Sequence, residues 1–89
     1  MTFFPHKPCA KGISFDQDTM TVELTDGRKI VIPLVYFRKL LDATEAQRNN
    51  YFISGGGAGL HWEELDEDIR VDNLLLGIFD HTFPKSSAA

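Results

Sequence analysis

The segment HWEELDEDIRVDNLLLG, residues 61–77, concentrates side chains that could do chemistry. Five carboxylates lie within residues 63–70, directly after His61. Carboxylate oxygens spaced as Asp66-x-Asp68, together with an imidazole, can bind a divalent cation or transfer protons. The same charges can instead form a docking face for a basic protein surface, because complementary charge steers association.

A structural role for these carboxylates requires fewer specifically placed residues than a metal site or a catalytic site. An EF-hand loop needs further ligands at fixed spacings and a glycine at its sixth position, and the sequence lacks them. Asp66 and Asp68 could cap the backbone at the start of the next helix, where the dipole favours negative charge. We predict no metal, no cofactor and no catalysis, and keep a ligand or metal site of His61, Asp66 and Asp68 as the alternative.

Two other motifs give weaker signals of chemistry. GGGAG, residues 55–59, lacks the Gly-Lys-Ser/Thr of a phosphate-binding loop, so we predict a turn there. Cys9 and His6 lie in a proline-rich segment without a third group to orient them, which argues against a nucleophile pair. His61 and Trp62 should face opposite sides of a strand, with Trp62 in the core. His61 is expected to be a buried, hydrogen-bonded histidine and not a ligand or a base.

The composition is typical of one small globular domain. The chain has 89 residues, of which 43% are hydrophobic and 25% charged, and its seven phenylalanines can fill a thin core. One cysteine permits no intramolecular disulfide. The sequence shows no signal-peptide pattern and no apolar run near the ~20 residues of a membrane helix. These features predict a cytoplasmic protein that does not contact membranes.

Charge is distributed unevenly along the chain. Residues 61–80 hold seven acids and one arginine, a net charge of −6, while the whole chain carries −4. Nucleic-acid binding depends on clustered Lys and Arg, so we predict no direct nucleic-acid partner. A protein partner with a basic surface fits this balance better. The predicted partner-binding residues combine acids with apolar anchors: Trp62, Glu63, Glu64, Glu67, Leu75 and Phe79.

The alternation of apolar residues predicts strands in the first third of the chain. GISFD and MTVELT alternate, and RKIVIP follows Asp-Gly, a strong hairpin signal. A two-residue loop would place the two apolar rows on opposite faces. A three-residue loop ending at Gly27 pairs Val22 with Ile30 and Met20 with Ile32. It also places Gly27 in the left-handed region, where glycine has no steric penalty.

Helical and further strand signals follow. LVYFRKLLDA, residues 34–43, has apolar residues at helical spacing, and Thr44 with Gln47 forms a capping box before a second short helix. YFIS and LHW are typical of strands, and VDNLLLG predicts a last helix closed by Gly77. We therefore predict an α+β domain over residues 12–83, with about four to five short antiparallel strands and two to three short helices. Residues 1–11 are expected to be loosely ordered and residues 84–89 disordered.

The apolar residues near the end of the domain allow two interpretations. Leu74, Leu75, Ile78 and Phe79 exceed what one helical stripe can bury in a thin core. They could form an exposed patch that contacts a partner or a second copy of the chain. Alternatively, Phe79 and Phe83 fold back to cover the sheet.

Two segments of the sequence are similar to the bacterial family catalogued as domain of unknown function 2442. They are LTDGRKIVIPLVYFRKLLDAT and GAGLHWEELDEDIRVDNLLLG. The chain departs from the family pattern at Tyr36, Arg38, Glu63 and Arg70, which stand where the pattern has Trp, Pro, Pro and Ser. The motif residues of the last block are His61, Trp62, Leu65, Asp66, Glu67, Asp68, Ile69, Leu74, Leu75 and Gly77.

The resemblance implies an α+β fold and a binding or regulatory role without an established activity. Members of the family occur beside small partner genes in arrangements like toxin–antitoxin pairs, and some are fused to helix-turn-helix domains. It therefore implies an antitoxin-like or regulatory module whose partner is encoded by a neighbouring gene. A phage-borne or plasmid-borne inhibitor of a nucleic-acid-binding protein is a further alternative.

Overall fold

The computed structural model describes residues 8–79, which form two three-stranded antiparallel sheets and three short α-helices. The first sheet contains β1 (Ala10–Phe15), β2 (Thr19–Leu24) and β3 (Lys29–Pro33) in that order. The second contains β4 (Phe52–Ser54), β5 (Gly59–Trp62) and β6 (Glu67–Arg70). The helices are α1 (Arg38–Leu41), α2 (Glu45–Asn49) and α3 (Val71–Leu76).

The α+β class is confirmed, with one more strand than the upper expected number. β1 begins at Ala10, so residues 10 and 11, which were expected to be loosely ordered, belong to the sheet. Residues 1–7 of that predicted N-terminal segment lie outside the described residues. The predicted disordered tail, residues 84–89, lies outside the described residues. Within residues 8–79, no helix has the length and apolarity required to cross a membrane.

The β2–β3 hairpin has the predicted register. Val22 pairs with Ile30 and Met20 with Ile32, which places the apolar row of each strand on one face. Gly27 has a φ of 98°, and its N–H donates to the carbonyl of Leu24 at 3.0 Å. The three-residue loop and the left-handed glycine are therefore confirmed.

The two sheets and the helical segments share one hydrophobic core. The first sheet contributes alternate residues of β1, β2 and β3, and the second contributes the inward residues of β5 and β6. The segments between and after the sheets add the rest. The buried apolar side chains are Ala10, Met20, Val22, Leu24, Ile32, Leu34, Phe37, Leu40, Leu60, Trp62, Ile69, Val71 and Leu74.

The predicted single helix over residues 34–43 is wrong, because the chain breaks at Phe37. Residues Leu34–Tyr36 form a 3-10 turn, and Phe37 has an irregular backbone (φ −130°, ψ 89°) before α1 begins. Leu34, Phe37 and Leu40 are all buried and lie three residues apart. A 3-10 turn aligns side chains at that spacing, whereas an α-helix rotates them progressively out of line.

The predicted capping box starts α2 and leads to an arginine that links three elements. Thr44 Oγ1 accepts from the Gln47 N–H at 3.0 Å, and Gln47 Oε1 accepts from the Thr44 N–H at 2.9 Å. Arg48 Nε and Nη2 donate to the carbonyls of Leu40 and Leu41 at 2.8 and 2.9 Å, which satisfies the C-terminal end of α1. The Trp62 indole N–H donates to the Arg48 carbonyl at 2.8 Å, which joins β5 to α2.

The GGGAG segment is a turn, as predicted, and it holds the two sheets together. Gly57 is buried with a φ of 109°. A Cβ at this position would lie 2.7 Å from the Cβ of Cys9 and 3.0 Å from the carbonyl oxygen of Ala10. The turn can therefore approach the start of β1 only with glycine at residue 57.

We predict that Gly57→Ala destabilises the protein more than Gly27→Ala. Gly27 has open space around it, so alanine there suffers only backbone strain and should lower the free energy of unfolding by about 1 kcal/mol. Gly57→Ala adds a collision with backbone atoms and should cost about 3 kcal/mol or more. Urea unfolding followed by circular dichroism measures both, and equal losses would contradict the close approach at Gly57.

Candidate interaction site

The acidic segment forms a β-hairpin and does not cap a helix. Residues 63–66 turn between β5 and β6, with the Asp66 N–H donating to the Glu63 carbonyl at 3.2 Å. Asp66 is the non-glycine residue with positive φ (53°) among residues 8–79, a conformation that aspartate tolerates. The helix after β6 has Arg70 as its N-cap without a side-chain capping bond. The predicted capping role of Asp66 and Asp68 is therefore wrong.

β6 explains why these acids fall on two faces. Side chains alternate along a strand, so Glu67 and Ile69 point into the core while Asp68 and Arg70 point outward. Glu67 is 5% exposed, and Lys39 Nζ lies 3.9 Å from its carboxylate. A buried carboxylate is tolerated when an opposite charge lies nearby. Glu67 is thus part of the packing between β6 and α1, which corrects its predicted role in partner binding.

Trp62 is also removed from the predicted partner-binding residues. Its side chain is fully buried, contacts the ring of Tyr51 and donates its N–H to Arg48. This confirms the prediction that Trp62 belongs to the core and that His61 faces the other way. A fully buried indole cannot anchor a partner on this surface.

His61 lies on the outer face of the second sheet between two carboxylates, with 22% of its side chain exposed, so it is hydrogen-bonded as predicted but not buried. Its Nδ1 lies 2.5 Å from Asp68 Oδ1, and its Nε2 lies 3.0 Å from Glu63 Oε1. The strand register places Phe52, His61 and Asp68 in one row across β4, β5 and β6. The ring of Phe52 meets the imidazole edge-on, with ring centres 5.0 Å apart.

The charge state of His61 follows from these contacts. The hydrogen bond to Asp68, and then that to Glu63, raises the pKa of His61 above its usual value of 6.5. A neutral imidazole has one N–H, whereas an imidazolium can donate from both nitrogens, so two carboxylate partners favour the protonated form. In that form both ring nitrogens donate to carboxylates.

The alternative ligand or metal site of His61, Asp66 and Asp68 is not assembled. Asp66 lies in the turn, where its carbonyl oxygen accepts a hydrogen bond from Lys39 Nζ at 2.8 Å. Within residues 8–79, no group of three or more His, Cys, Asp or Glu side chains is placed to hold a metal ion. The structure brings together His61, Asp68 and Glu63 instead.

The remaining candidate residues lie near the two ends of β6. Glu63 and Glu64 are exposed in the turn before it, and Leu75 is 38% exposed on α3 after it. Leu76 and Ile78, which were not among the predicted partner-binding residues, are 72% and 53% exposed. The sequence LLLG could have indicated this exposure, because one helical stripe cannot bury three successive leucines.

Phe79 folds back onto the core, as one of the two interpretations expected. Its ring centre lies 4.5 Å from that of Tyr36 and 5.6 Å from that of Phe37. Its predicted companion Phe83 lies outside the described residues. Leu75, Leu76 and Ile78 are exposed, as the other interpretation expected. Each interpretation therefore holds for different residues of this segment.

A groove of about 420 Å³ lies beside β6 and includes Ile78 of the apolar patch in its lining. It is lined on one side by the strand residues Asp68, Ile69 and Arg70 and on the other by residues of α3 and the segment that follows it. Successive side chains of a strand point to opposite faces, so three in a row can line one groove only along the edge of the strand. The other lining residues are Phe37, Asn73, Ile78 and Phe79.

Comparison with known proteins gives one family and two solved structures. A family model described as "Protein of unknown function (DUF2442)" matches residues 10–80. No curated protein matches. A crystal structure of a protein of unknown function from Rhodospirillum rubrum has a TM-score of 0.74 and 31% identity, over 94% of this chain and 100% of that chain.

The second structure is a solution NMR structure of the uncharacterized protein CV0863 from Chromobacterium violaceum. It has a TM-score of 0.71 and 20% identity, over 90% of this chain and 75% of that chain. At this identity the likeness concerns the fold alone.

We predict that Asp68→Asn lowers the pKa of His61 more than Glu63→Gln does. The hydrogen bond to Asp68 is the larger cause of the raised pKa, so its loss should have the larger effect. NMR titration of the imidazole signals measures both shifts, with His61→Asn to assign the resonance. Equal titration of His61 in wild type and in both variants would contradict the arrangement.

The same pair of contacts predicts how stability depends on pH. Because folding raises the pKa of His61, its contribution is complete below the unfolded pKa of about 6.5 and is lost as pH rises through the folded-state pKa. The difference in unfolding free energy between wild type and His61→Asn should therefore be larger at about pH 5.5 than at about pH 9. Urea unfolding at both pH values tests this, and a difference that grows with pH would exclude it.

Proposed function

The chain belongs to the DUF2442 family of proteins of unknown function, and from this premise we propose that it is a non-catalytic interaction module whose partner binds along β6. The observation that supports this proposal is the position of the groove beside β6. An exposed acidic turn lies at one end of that strand, and an exposed apolar patch lies at the other. One partner could contact both ends and the groove.

The acidic end requires a partner with positive charge. Glu63, Glu64 and Asp66 are exposed in the turn, and the Asp68 side chain is 76% exposed on the outer face. Arg70, on the same strand, is engaged by Asp72 at 2.8 Å. The turn therefore presents an excess of negative charge, which favours association with Lys-rich or Arg-rich surfaces.

The apolar end supplies area that binding could remove from water. Leu75, Leu76 and Ile78 are exposed at and just after the end of α3, a helix of six residues. Apolar contacts near the centre of an interface carry much of its affinity, whereas charges at its rim mainly affect the rate of association. The two ends of β6 should therefore control different rate constants.

Distance and charge argue for one foreign partner on this surface. The acidic turn directly precedes β6, whose four residues span about 13 Å, and α3 directly follows it, so one partner surface of ordinary size could reach both ends. A second copy using the same surface would bring its own acids against these acids. The surface therefore favours a partner of opposite charge over a homodimer.

A role as an antitoxin-like or regulatory protein follows from such a partner. A small acidic protein that covers a basic surface blocks whatever that surface binds. We place this activity in the cytoplasm, with the partner encoded by a neighbouring gene. A catalytic role is not part of the proposal, since both nitrogens of His61 are held by carboxylates.

The proposal predicts that neutralising the acidic turn slows association. We expect Glu63→Gln/Glu64→Gln/Asp66→Asn to lower kon by about tenfold at low salt and to change koff little, because steering charges act before contact. The matched control Asp18→Asn/Asp42→Asn/Glu45→Gln removes the same charge from exposed positions elsewhere and should change kon by less than about twofold. Surface plasmon resonance against the partner captured from the host gives both constants.

Residues at the apolar end are expected to act on dissociation. Leu76→Ser and Ile78→Ser should each raise koff by about tenfold, because they remove apolar contact from the bound state. Val31→Ser changes a similarly exposed residue on β3 and serves as the control. Circular dichroism confirms folding of every variant. Equal effects of the site variants and their controls would contradict a partner on this surface.

A further inference from the structure

We propose that the partner contributes an extended segment that pairs with β6 as an additional strand and alternates basic with apolar side chains. This inference rests on the proposed function and specifies how the partner is recognised. Addition of a strand to a sheet edge combines main-chain hydrogen bonds, which give affinity, with alternate side chains in pockets, which give specificity.

The hydrogen-bond pattern identifies which backbone groups of β6 face away from the sheet. The Val71 N–H donates to the Ala58 carbonyl at 2.9 Å, in line with the β5–β6 register. Hydrogen-bonded pairs alternate along an antiparallel ladder, so Glu67 and Ile69 bond to β5. The backbone N–H and C=O of Asp68, and the N–H of Arg70, therefore point outward along the edge.

These outward groups are available for pairing. Apart from the bonds within helices and strands, no backbone–backbone hydrogen bond among residues 8–79 involves the N–H or C=O of Asp68 or the N–H of Arg70. The carbonyl of Asp66, one step earlier along the same edge, is bonded to Lys39. The free edge is thus short, and it offers two donors and one acceptor to an incoming strand.

The outer edges of β1 and β3 are less suited to accept a strand. On β1, the Tyr51 hydroxyl bonds to both the N–H and the carbonyl of Ile13, at 3.2 and 3.4 Å. β3 carries Lys29 and ends in Pro33, which has no N–H, and both features discourage edge pairing. Neither strand has the combination of free outward groups and an adjacent groove that is present at β6.

The groove lies where the side chains of an added strand would be. A residue opposite Ile69 would point inward, into the groove lined by Ile69, Ile78 and Phe79. Its neighbour in sequence, opposite Asp68, would point to the outer face, beside that exposed carboxylate. An apolar residue suits the first position and Lys or Arg the second. The partner segment is therefore expected to alternate apolar and basic residues.

The first test compares two fluorescein-labelled peptides of equal composition. One alternates Lys and Val, and the other groups its lysines and valines in two blocks. Fluorescence anisotropy at low salt should show binding of the alternating peptide about tenfold or more tighter, since only alternation places charge and apolar groups on opposite faces. Equal affinity of the two peptides, or no detectable binding of the alternating one, would overturn the inference.

Backbone methylation tests strand addition on the wild-type protein. Alternate N–H groups of an added strand point towards β6, and the others point away. N-methylation of one alternate set in the Lys-Val peptide should weaken binding by about tenfold or more, and methylation of the other set should change it little. If both sets have the same effect, the peptide does not bind as a strand.

A variant pair on β6 tests the same hydrogen bonds from the protein side. Arg70→Pro removes the outward N–H at a residue whose φ of −93° lies near the range of proline, and Arg70→Ala keeps that N–H while removing the same charge. Arg70→Pro should weaken binding of the alternating peptide about tenfold relative to Arg70→Ala. Equal affinities, with both variants folded by circular dichroism, would oppose strand addition.

Further outcomes separate this inference from the proposed function. If methylation and Arg70→Pro have no effect while the acidic-turn variant still slows association of the captured partner, strand addition is wrong and the interaction module remains. If neither the peptide nor the captured partner depends on the acidic turn, the proposed function fails as well. A dimer in sedimentation that Arg70→Pro dissociates would make a second copy the occupant of the edge and overturn the inference.

Discussion

The hydrogen bonds of Arg48 are the constraint on which the rest of the structure depends. Its guanidinium binds the last carbonyls of α1, and its own carbonyl accepts the indole N–H of Trp62. α1 has four residues and α2 has five, and helices this short do not persist alone in water. By joining both helices to β5, Arg48 fixes the position of Trp62 in the core. The alternation of β5 then places His61 on the opposite, outer face, next to β6.

The parts of the fold that could be predicted from the sequence are those that local chemistry decides. The loop ending at Gly27, the capping box at Thr44 and the left-handed Gly77 each depend on a few neighbouring residues. The acidic segment could not be assigned in this way, because carboxylates can start a helix or alternate along a strand. A tertiary contact decides between the helix start and the strand. Lys39, from α1, lies beside the buried carboxylate of Glu67, and this favours the strand.

Much of the sequence that resembles the family has a structural explanation. Gly57 permits the close approach of the turn to β1, and Thr44 and Arg48 satisfy helix ends. Trp62 and Glu67 are buried where the second sheet meets the helices. These contacts stabilise the fold of this chain, which is similar to those of two solved structures. Two of the motif residues that were predicted to bind a partner, Trp62 and Glu67, are therefore explained by their packing in the core.

The residues that determine charge beside β6 are largely separate from this framework. Glu63 and Arg70 stand where the family pattern has proline and serine. Glu63 binds one nitrogen of His61, and Arg70 binds Asp72 at the end of the groove. A proline at 63 would remove one carboxylate from the imidazole, and a serine at 70 would remove the guanidinium from the groove. Neither change touches the backbone groups of Asp68 that face outward. In the proposed interaction, the fold supplies a sheet edge that an extended segment could use, and the exposed charges of this chain select which segment binds.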